Sequence, residues 1–338
     1  MKLETNYSLK NENTFHIDVS AKYFAEVFSE EDIKNMLSER RIKEIPLLII
    51  GGGSNILFTR NFDGLVIKNS ISYINVIEED DNKIIIEAGA GVRWDDLVQY
   101  CVEKKYGGIE NLSLIPGTTG AAPIQNIGAY GQELKDTLYY VKGIFIENLA
   151  LKKIIKDECN FGYRDSIFKR ELKGKFVITA VAVCLSKKPK VNLTYAAVNE
   201  ELDKLNIKEP SIKEVSKVIR MIRETKLPNP TEIGNAGSFF KNPEISESLY
   251  LDIKNLYQDF KGYKLPNGYH KISAAWLIEK CGWKGQRFGD AGVHKDQPLV
   301  LVNFGTASGN EIRDLSLQIK ESVFKKFKIE LEEEVNIF

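Results

Sequence analysis

Apolar and polar positions recur along this chain with two different periods, and the period changes with position. In the first part, residues 15–27 read as a pair of strands, 46–50 as a buried strand and 64–68 as another. Between them Ser29 offers an N-cap for a helix over 31–40, whose acidic first turn complements the helix dipole. From Ile71 to about Lys188 strands dominate, at 73–79, 83–88, 138–147, 151–155 and 176–185, with one helix at 94–105. After Ser211 the period becomes helical. Ile212, Val215, Val218, Ile219 and Ile222 share one helix face, and Ser308 with Glu311 forms a capping box ahead of a long helix to Phe327. Strands first, then helices around a small sheet, predict an α+β fold. Pro210, Pro228 and Pro230 mark a boundary within 206–228.

Composition narrows the picture. A chain of 338 residues is long enough for two or three domains at roughly 150 residues each, and 43% hydrophobic with 28% charged residues is ordinary for a globular protein. Forty-seven Lys plus Arg balance forty-seven Asp plus Glu, so no global field draws the molecule to nucleic acid or anionic lipid, and neither partner is expected. Any anionic ligand must be held locally. The longest nearly apolar run, residues 176–185, is far shorter than the ~20 residues of a membrane span. Residues 1–13 are polar and lack the apolar core of a secretory signal, so a cytoplasmic location is expected. The four cysteines (Cys101, Cys159, Cys184, Cys281) form no Cys-x-x-Cys and only three histidines accompany them, which suggests reduced packing residues and neither a metal site nor a disulfide framework.

Two glycine loops carry the first chemical signal. The strand at 46–50 runs into Gly51, Gly52, Gly53, Ser54 and Asn55. This is not the dinucleotide fingerprint G-x-G-x-x-G, because the following residues read as extended chain and not as a helix. Consecutive glycines can instead turn backbone N–H groups inward as a nest for phosphate. The second loop, 115–131, spans seventeen residues with neither helical nor strand period, and long loops of that kind inside compact domains are usually functional. Its small residues, among them Pro116, Gly117, Thr118, Thr119, Gly120 and Gly128, let backbone approach a flat ring or a pyrophosphate. Gln125 and Asn126 offer amides for ring edges. Together the loops suggest one large, planar, anionic ligand, and a dinucleotide such as FAD fits better than a mononucleotide. Neither loop holds a His or Cys, so the FAD is expected to be noncovalent.

Five stretches in order then carry a resemblance: residues 51–55 (Gly-Gly-Gly-Ser-Asn), the loop 115–131, 161–166 (Phe-Gly-Tyr-Arg-Asp-Ser), 234–243 (Gly-Asn-Ala-Gly-Ser-Phe-Phe-Lys-Asn-Pro) and 331–335 (Leu-Glu-Glu-Glu-Val). They span nearly the whole chain, which closely resembles the UDP-N-acetylenolpyruvoylglucosamine reductase (MurB) family of flavoenzymes. The resemblance implies a PCMH-type FAD-binding fold of two N-terminal domains (1–70 and 71–210), a C-terminal α+β substrate-binding domain (211–328), and a last strand (329–338) returning to the active site. It further implies NADPH as co-substrate and UDP-N-acetylglucosamine enolpyruvate as substrate, in peptidoglycan precursor synthesis. A monomer is the expected state.

Reducing an enolpyruvyl ether places hydride on the terminal alkene carbon and leaves carbanion character beside the carboxylate. That charge asks for a cation on the carboxylate, an acid near it and a proton donor to the α-carbon. By resemblance Arg164 is the carboxylate-binding cation, although an Arg beside Asp165 also reads as half of a structural ion pair. Ser238 does not fit the G-x-S-x-G nucleophile elbow, and by resemblance it is the proton donor. Glu334 lies in a run in which Ile329, Leu331, Glu333, Val335 and Ile337 share one strand face while Glu330, Glu332 and Glu334 share the other. Sequence alone does not choose among these glutamates; the family pattern of an acid directly before the Val selects Glu334.

The same resemblance assigns Tyr195, Lys226, Asn242, Tyr263, Lys284 and Gln297 to the UDP part of the substrate, each of which alone reads as an ordinary surface residue. Tyr195 marks the type in which a tyrosine loop closes over substrate, but the usual Gly-Asp after it is here Ala196-Ala197. The chain ends at Phe338, soon after the glutamate run, so no longer C-terminal tail is expected. Two other readings stand beside this one. An FAD-dependent sugar or alcohol oxidase would keep the glycine loops but would not need Ser238, Arg164 and Glu334 together. A binding protein that had lost catalysis would not need them at all.

Overall fold

The computed structural model describes residues 2–39 and 44–338. The chain divides into two compact units, the first made of Met1–Tyr7, Ser20–Gly53 and Phe62–Thr225, the second of Ser8–Val19, Ser54–Asn61 and Lys226–Phe338. Strands and helices mix in both, as an α+β fold requires.

The first unit opens on a four-stranded sheet in the order Glu4–Ser8, Ser20–Val27, Phe62–Asn69, Leu47–Ile50, whose last three strands run parallel. Parallel neighbours need a crossover, supplied between Ser20–Val27 and Leu47–Ile50 by helix α1 (Glu30–Ser38), whose Ile33, Met36 and Leu37 pack on Ala25, Val27, Leu65 and Ile67. Ser29 caps it, accepting from Asp32 N–H at 3.0 Å. Arg40, expected at the helix end, lies outside the described residues.

A five-stranded antiparallel sheet follows, ordered Leu151–Ile155, Leu138–Phe145, Phe176–Ser186, Lys83–Gly89, Ile74–Glu79. Phe176–Ser186 is buried at nearly every position on both faces, which is why its sequence is an unbroken apolar run. Helix α2 (Trp94–Glu103) buries Trp94, whose Nε1–H donates to Leu112 O at 3.0 Å.

Helices α3 (Ala196–Lys204) and α4 (Ile212–Lys226) share one apolar cluster of Val198, Leu202, Val215, Val218, Ile219 and Ile222. That cluster keeps α4 with the first unit, so the divide falls between Thr225 and Lys226 and not at residue 211.

The second unit holds a four-stranded antiparallel sheet (Gly234–Asn235, Leu301–Asn303, Ala291–Val293, Arg287–Phe288) and a three-stranded one (Glu244–Ile245, His270–Ile272, Gly262–Lys264). Helices α5 (Glu247–Leu256) and α6 (Ala274–Lys280) accompany the smaller sheet, and α7 (Gly309–Phe327) packs on Ala291–Val293 and Leu301–Asn303. The Ser308–Glu311 capping box forms as the sequence predicts. Residues 15–19 are not strand, because Asn13 folds them into a turn. Its Nδ2 donates to Leu9 O (2.7 Å) and Ile17 O (3.1 Å), and its Oδ1 accepts from Ile17 N–H (3.0 Å). Among the described residues no helix is long and apolar enough to cross a membrane.

Candidate active site

The first unit brings the two glycine loops together. A Cβ built on Gly51 would stand 2.1 Å from Thr118 Oγ1, and one on Gly52 would stand 3.5 Å from Gly117 Cα. At Gly51 only backbone without a side chain can lie this close. Gly53 and Gly117 also need their freedom for another reason, with φ of 61° and 104°. Thr119 anchors the second loop from beneath, fully buried, with its N–H (2.8 Å) and its hydroxyl (3.0 Å) both donating to Val92 O. Among the described residues the N–H groups of Gly51, Gly52 and Thr118 donate to no acceptor, so the apposed loops offer backbone donors of the kind a pyrophosphate takes. The residues present therefore fit an FAD. Asn126 has a different place from the amide imagined in sequence. Its side chain is buried, donating to Glu133 and Gly162 O and accepting from Lys135 N–H, so it braces the loop.

Arg164 joins this loop. Its Nη2 donates to Gly128 O at 2.8 Å from a left-handed backbone (φ 53°), in a tight turn closed by Gly162 N–H to Asp165 O. Asp165 pairs with Arg170. Asn126 (φ 44°) and Tyr130 (φ 49°) on the same loop are also left-handed, and such strained residues gather where geometry is imposed for function.

Tyr130 supports Tyr195. The Tyr195 ring meets it edge-on at 5.2 Å, and Asn192 anchors the intervening chain by donating to Gly131 O at 3.0 Å. Behind them Arg223 Nε donates to Leu114 O, while burial, with Arg164 as a nearby like charge, pulls the Arg223 guanidinium below its ordinary value. Burial also pushes the Tyr130 phenol up. Neither Tyr130 nor Arg223 was singled out in sequence. Tyr130 stood within a quoted loop, and Arg223 had no signal beyond its helix.

In the second unit Ser238 sits between Gly237 (φ 70°) and the buried Phe239, half-buried, its hydroxyl without a partner among the described residues. Phe239 N–H donates to Leu299 O and its carbonyl accepts from Glu334 N–H at 2.8 Å, so the serine segment and the glutamate run lie side by side. The run is not a continuous strand. It makes one bridge, Phe240 to Glu333, and a two-residue strand, Asn336–Ile337, parallel to Ile56–Leu57. The sheet-like alternation nonetheless holds at Ile329, Leu331 and Val335, which are buried. Glu332 pairs with Lys241 at 2.7 Å and Glu333 with Lys320 at 2.8 Å, which commits two of the three acids to lysines. Glu334 is half-buried, its carbonyl held by Asn55 Nδ2 at 3.1 Å.

The substrate candidates divide between the units: Tyr195 in the first, Lys226, Asn242, Tyr263, Lys284 and Gln297 in the second. Asn242 Oδ1 accepts from Ala274 N–H at the start of α6, and Lys284, just past the end of that helix, pairs with Glu279 at 2.8 Å. Tyr263 is 72% exposed on the small sheet, and Gln297 lies in the turn joining Ala291–Val293 to Leu301–Asn303. Ala196 and Ala197, where the family pattern has Gly-Asp, begin α3 directly after Tyr195.

Comparison with known proteins identifies the family. A family model described as FAD binding domain matches residues 21–145, and one described as UDP-N-acetylenolpyruvoylglucosamine reductase, C-terminal domain, matches 229–338. The UDP-N-acetylenolpyruvoylglucosamine reductase of Flavobacterium johnsoniae is 46% identical over 338 residues, 100% of both chains. That of Amoebophilus asiaticus is 48% identical over 337 residues, 100% of this chain and 99% of its own. The crystal structure of the reductase (MurB) from Thermus caldophilus shares the fold with a TM-score of 0.68, at 24% identity over 100% of this chain and 98% of that one. Identity at this level along the full length of both partners reflects common descent, and the chain belongs to the UDP-N-acetylenolpyruvoylglucosamine reductase (MurB) family.

Proposed function

We propose that this chain is an FAD-dependent reductase that uses NADPH to convert UDP-N-acetylglucosamine enolpyruvate to UDP-N-acetylmuramate in peptidoglycan precursor synthesis, acting as a cytoplasmic monomer. The observation that carries the chemistry is the pairing of Phe239 O with Glu334 N–H, which sets an acid beside the segment bearing the Ser238 hydroxyl.

Gly51, Gly52, Gly53, Pro116, Gly117, Thr118, Thr119, Gly120, Gln125 and Gly128 would hold the cofactor, chiefly by backbone, with Asn126 bracing the second loop from within and Ser54 and Asn55 continuing the first. A bound FAD would supply the hydride, drawn from NADPH, that the terminal alkene carbon receives. Arg164 holds the substrate carboxylate, where a planar guanidinium draws the developing negative charge into the carboxylate oxygens. Glu334 supports the resulting enol by a hydrogen bond from its carboxyl group. Ser238 keeps a proton on its hydroxyl for the α-carbon; a weak acid suffices there because an enolate carbon is strongly basic. Tyr195, Lys226, Asn242, Tyr263, Lys284 and Gln297 bind the nucleotide-sugar diphosphate.

The test is a visible spectrum of the purified protein under anaerobic conditions. The flavin band should bleach with NADPH and return on adding the enolpyruvyl substrate, with a product two hydrogens heavier. A band that returns only with oxygen would refute the assignment.

A further inference from the structure

We propose that Asn55 is a positioning residue for Glu334, an inference that rests on the function just given. Glu334 stands in an irregular stretch between the single bridge at Glu333 and the short strand Asn336–Ile337, so no ladder fixes its backbone. Two bonds do so instead. Its N–H donates to Phe239 O at 2.8 Å, and its carbonyl accepts from Asn55 Nδ2 at 3.1 Å. These hold the two peptide planes that flank the Glu334 Cα, which sets the direction of its Cβ and hence of its carboxyl group. The first bond is main chain to main chain and survives any substitution. The second depends on the side chain at position 55.

The chemistry required there is specific. A serine is too short to make the same reach, an aspartate has no proton to donate to a carbonyl, and a glutamine places its amide one methylene farther out. Meanwhile the Asn55 carbonyl accepts from Asn336 N–H and Nδ2, each at 3.1 Å, so the C-terminal strand stays attached when only the Asn55 side chain changes. Asn55 also follows Gly53 by two residues, so the loop that offers backbone to the cofactor and the amide that aims the acid are one continuous piece of chain. Misaiming a catalytic group by a fraction of an ångström costs rate only in the step that uses it. The acid is used when substrate is reduced, and not when NADPH reduces the flavin.

The experiment uses the holoenzyme and its Asn55→Ala, Asn55→Asp, Glu334→Gln and Asn55→Ala/Glu334→Gln variants in anaerobic stopped-flow. With Asn55→Ala or Asn55→Asp, read per bound flavin, reoxidation by the enolpyruvyl substrate should slow roughly tenfold more than bleaching by NADPH does. In the Glu334→Gln background the same Asn55→Ala change should slow reoxidation by less than about twofold, because the group it aims is already gone. Equal slowing of both half-reactions per bound flavin, or a full tenfold effect on top of Glu334→Gln, would overturn the positioning role while leaving the function intact. A parent enzyme whose reduced flavin is not reoxidised by the substrate overturns the function and this inference with it.

Discussion

The carbonyl of Phe239 accepts the N–H of Glu334 at 2.8 Å, across ninety-five positions of sequence. One main-chain bond thereby registers the serine motif against the glutamate run. Because it is backbone, neither motif advertises it. It places the acid directly before Val335 next to the Ser238 segment.

The cofactor should be noncovalent. The proposed binding uses the backbone of two apposed loops with no His or Cys in either. Acid precipitation should leave the pellet colourless and release free FAD to the supernatant. Flavin retained by the pellet would contradict this.

Gly51 and Gly52 should differ in tolerance. A Cβ at Gly51 meets Thr118 Oγ1 at 2.1 Å, with Thr118 Cβ and Cγ2 both at 3.2 Å, so rotating the threonine does not clear it. At Gly52 the nearest atom is 3.5 Å away, an ordinary contact. Gly51→Ala should therefore lower flavin occupancy and cost about 1 to 3 kcal/mol of stability as an overpacked site. Thr118→Ala in the same chain should recover much of the stability, read as the shift in the thermal midpoint. If Gly51→Ala melts like the parent, the close approach of the loops is not as described.

Local patterns were legible and long-range closures were not. The central strand Phe176–Ser186, the Ser29 and Ser308 caps and the apolar face of α4 follow from period and capping chemistry within a few residues. Residues 8–19 joining the second unit were not legible, since Asn13 and Asn303 decide it by side-chain bonds to carbonyls, Asn303 reaching Phe15 O from far along the chain. Left-handed Tyr130 and Arg164 were equally hidden, because Tyr and Arg, unlike glycine or asparagine, carry no preference for positive φ. The functional loops announced themselves by glycine, while what holds them in place is asparagine and backbone. Of the strand pair drawn over 15–27, Ser20–Val27 forms, and the part before it fails for the same reason: a single buried amide outweighs the alternation around it.

Tyr195 should act on substrate and not on cofactor. Its ring rests edge-on against Tyr130, a contact that Tyr195→Phe preserves, so the substitution removes only the hydroxyl. A hydrogen bond to a charged phosphate is worth about 1.5 to 3 kcal/mol, so the enolpyruvyl substrate should bind roughly ten- to a hundredfold more weakly with flavin content unchanged. Unchanged affinity by titration removes Tyr195 from the diphosphate site, and the helix start at Ala196 and Ala197 becomes the reason.

Ser238 should matter to one half-reaction alone. Bleaching by NADPH moves a hydride onto the ring and needs no proton delivered to substrate carbon, so Ser238→Ala should reduce at close to the parent rate. Reoxidation needs that proton, and a positioned donor contributes typically about 10²- to 10⁴-fold. The half-buried hydroxyl, with no partner among the described residues, is available for the role. Glu334→Gln should be slow at the same stage for a different reason, loss of support for the enol. The two are told apart by solvent: in deuterated water the parent and Glu334→Gln should incorporate deuterium at the α-carbon from the Ser238 side with retained stereochemistry, whereas Ser238→Ala, relying on water, should give product slowly and with mixed stereochemistry. If Ser238→Ala instead loses reduction by NADPH and keeps fast reoxidation, the hydroxyl shapes the nicotinamide pocket and is not the proton donor.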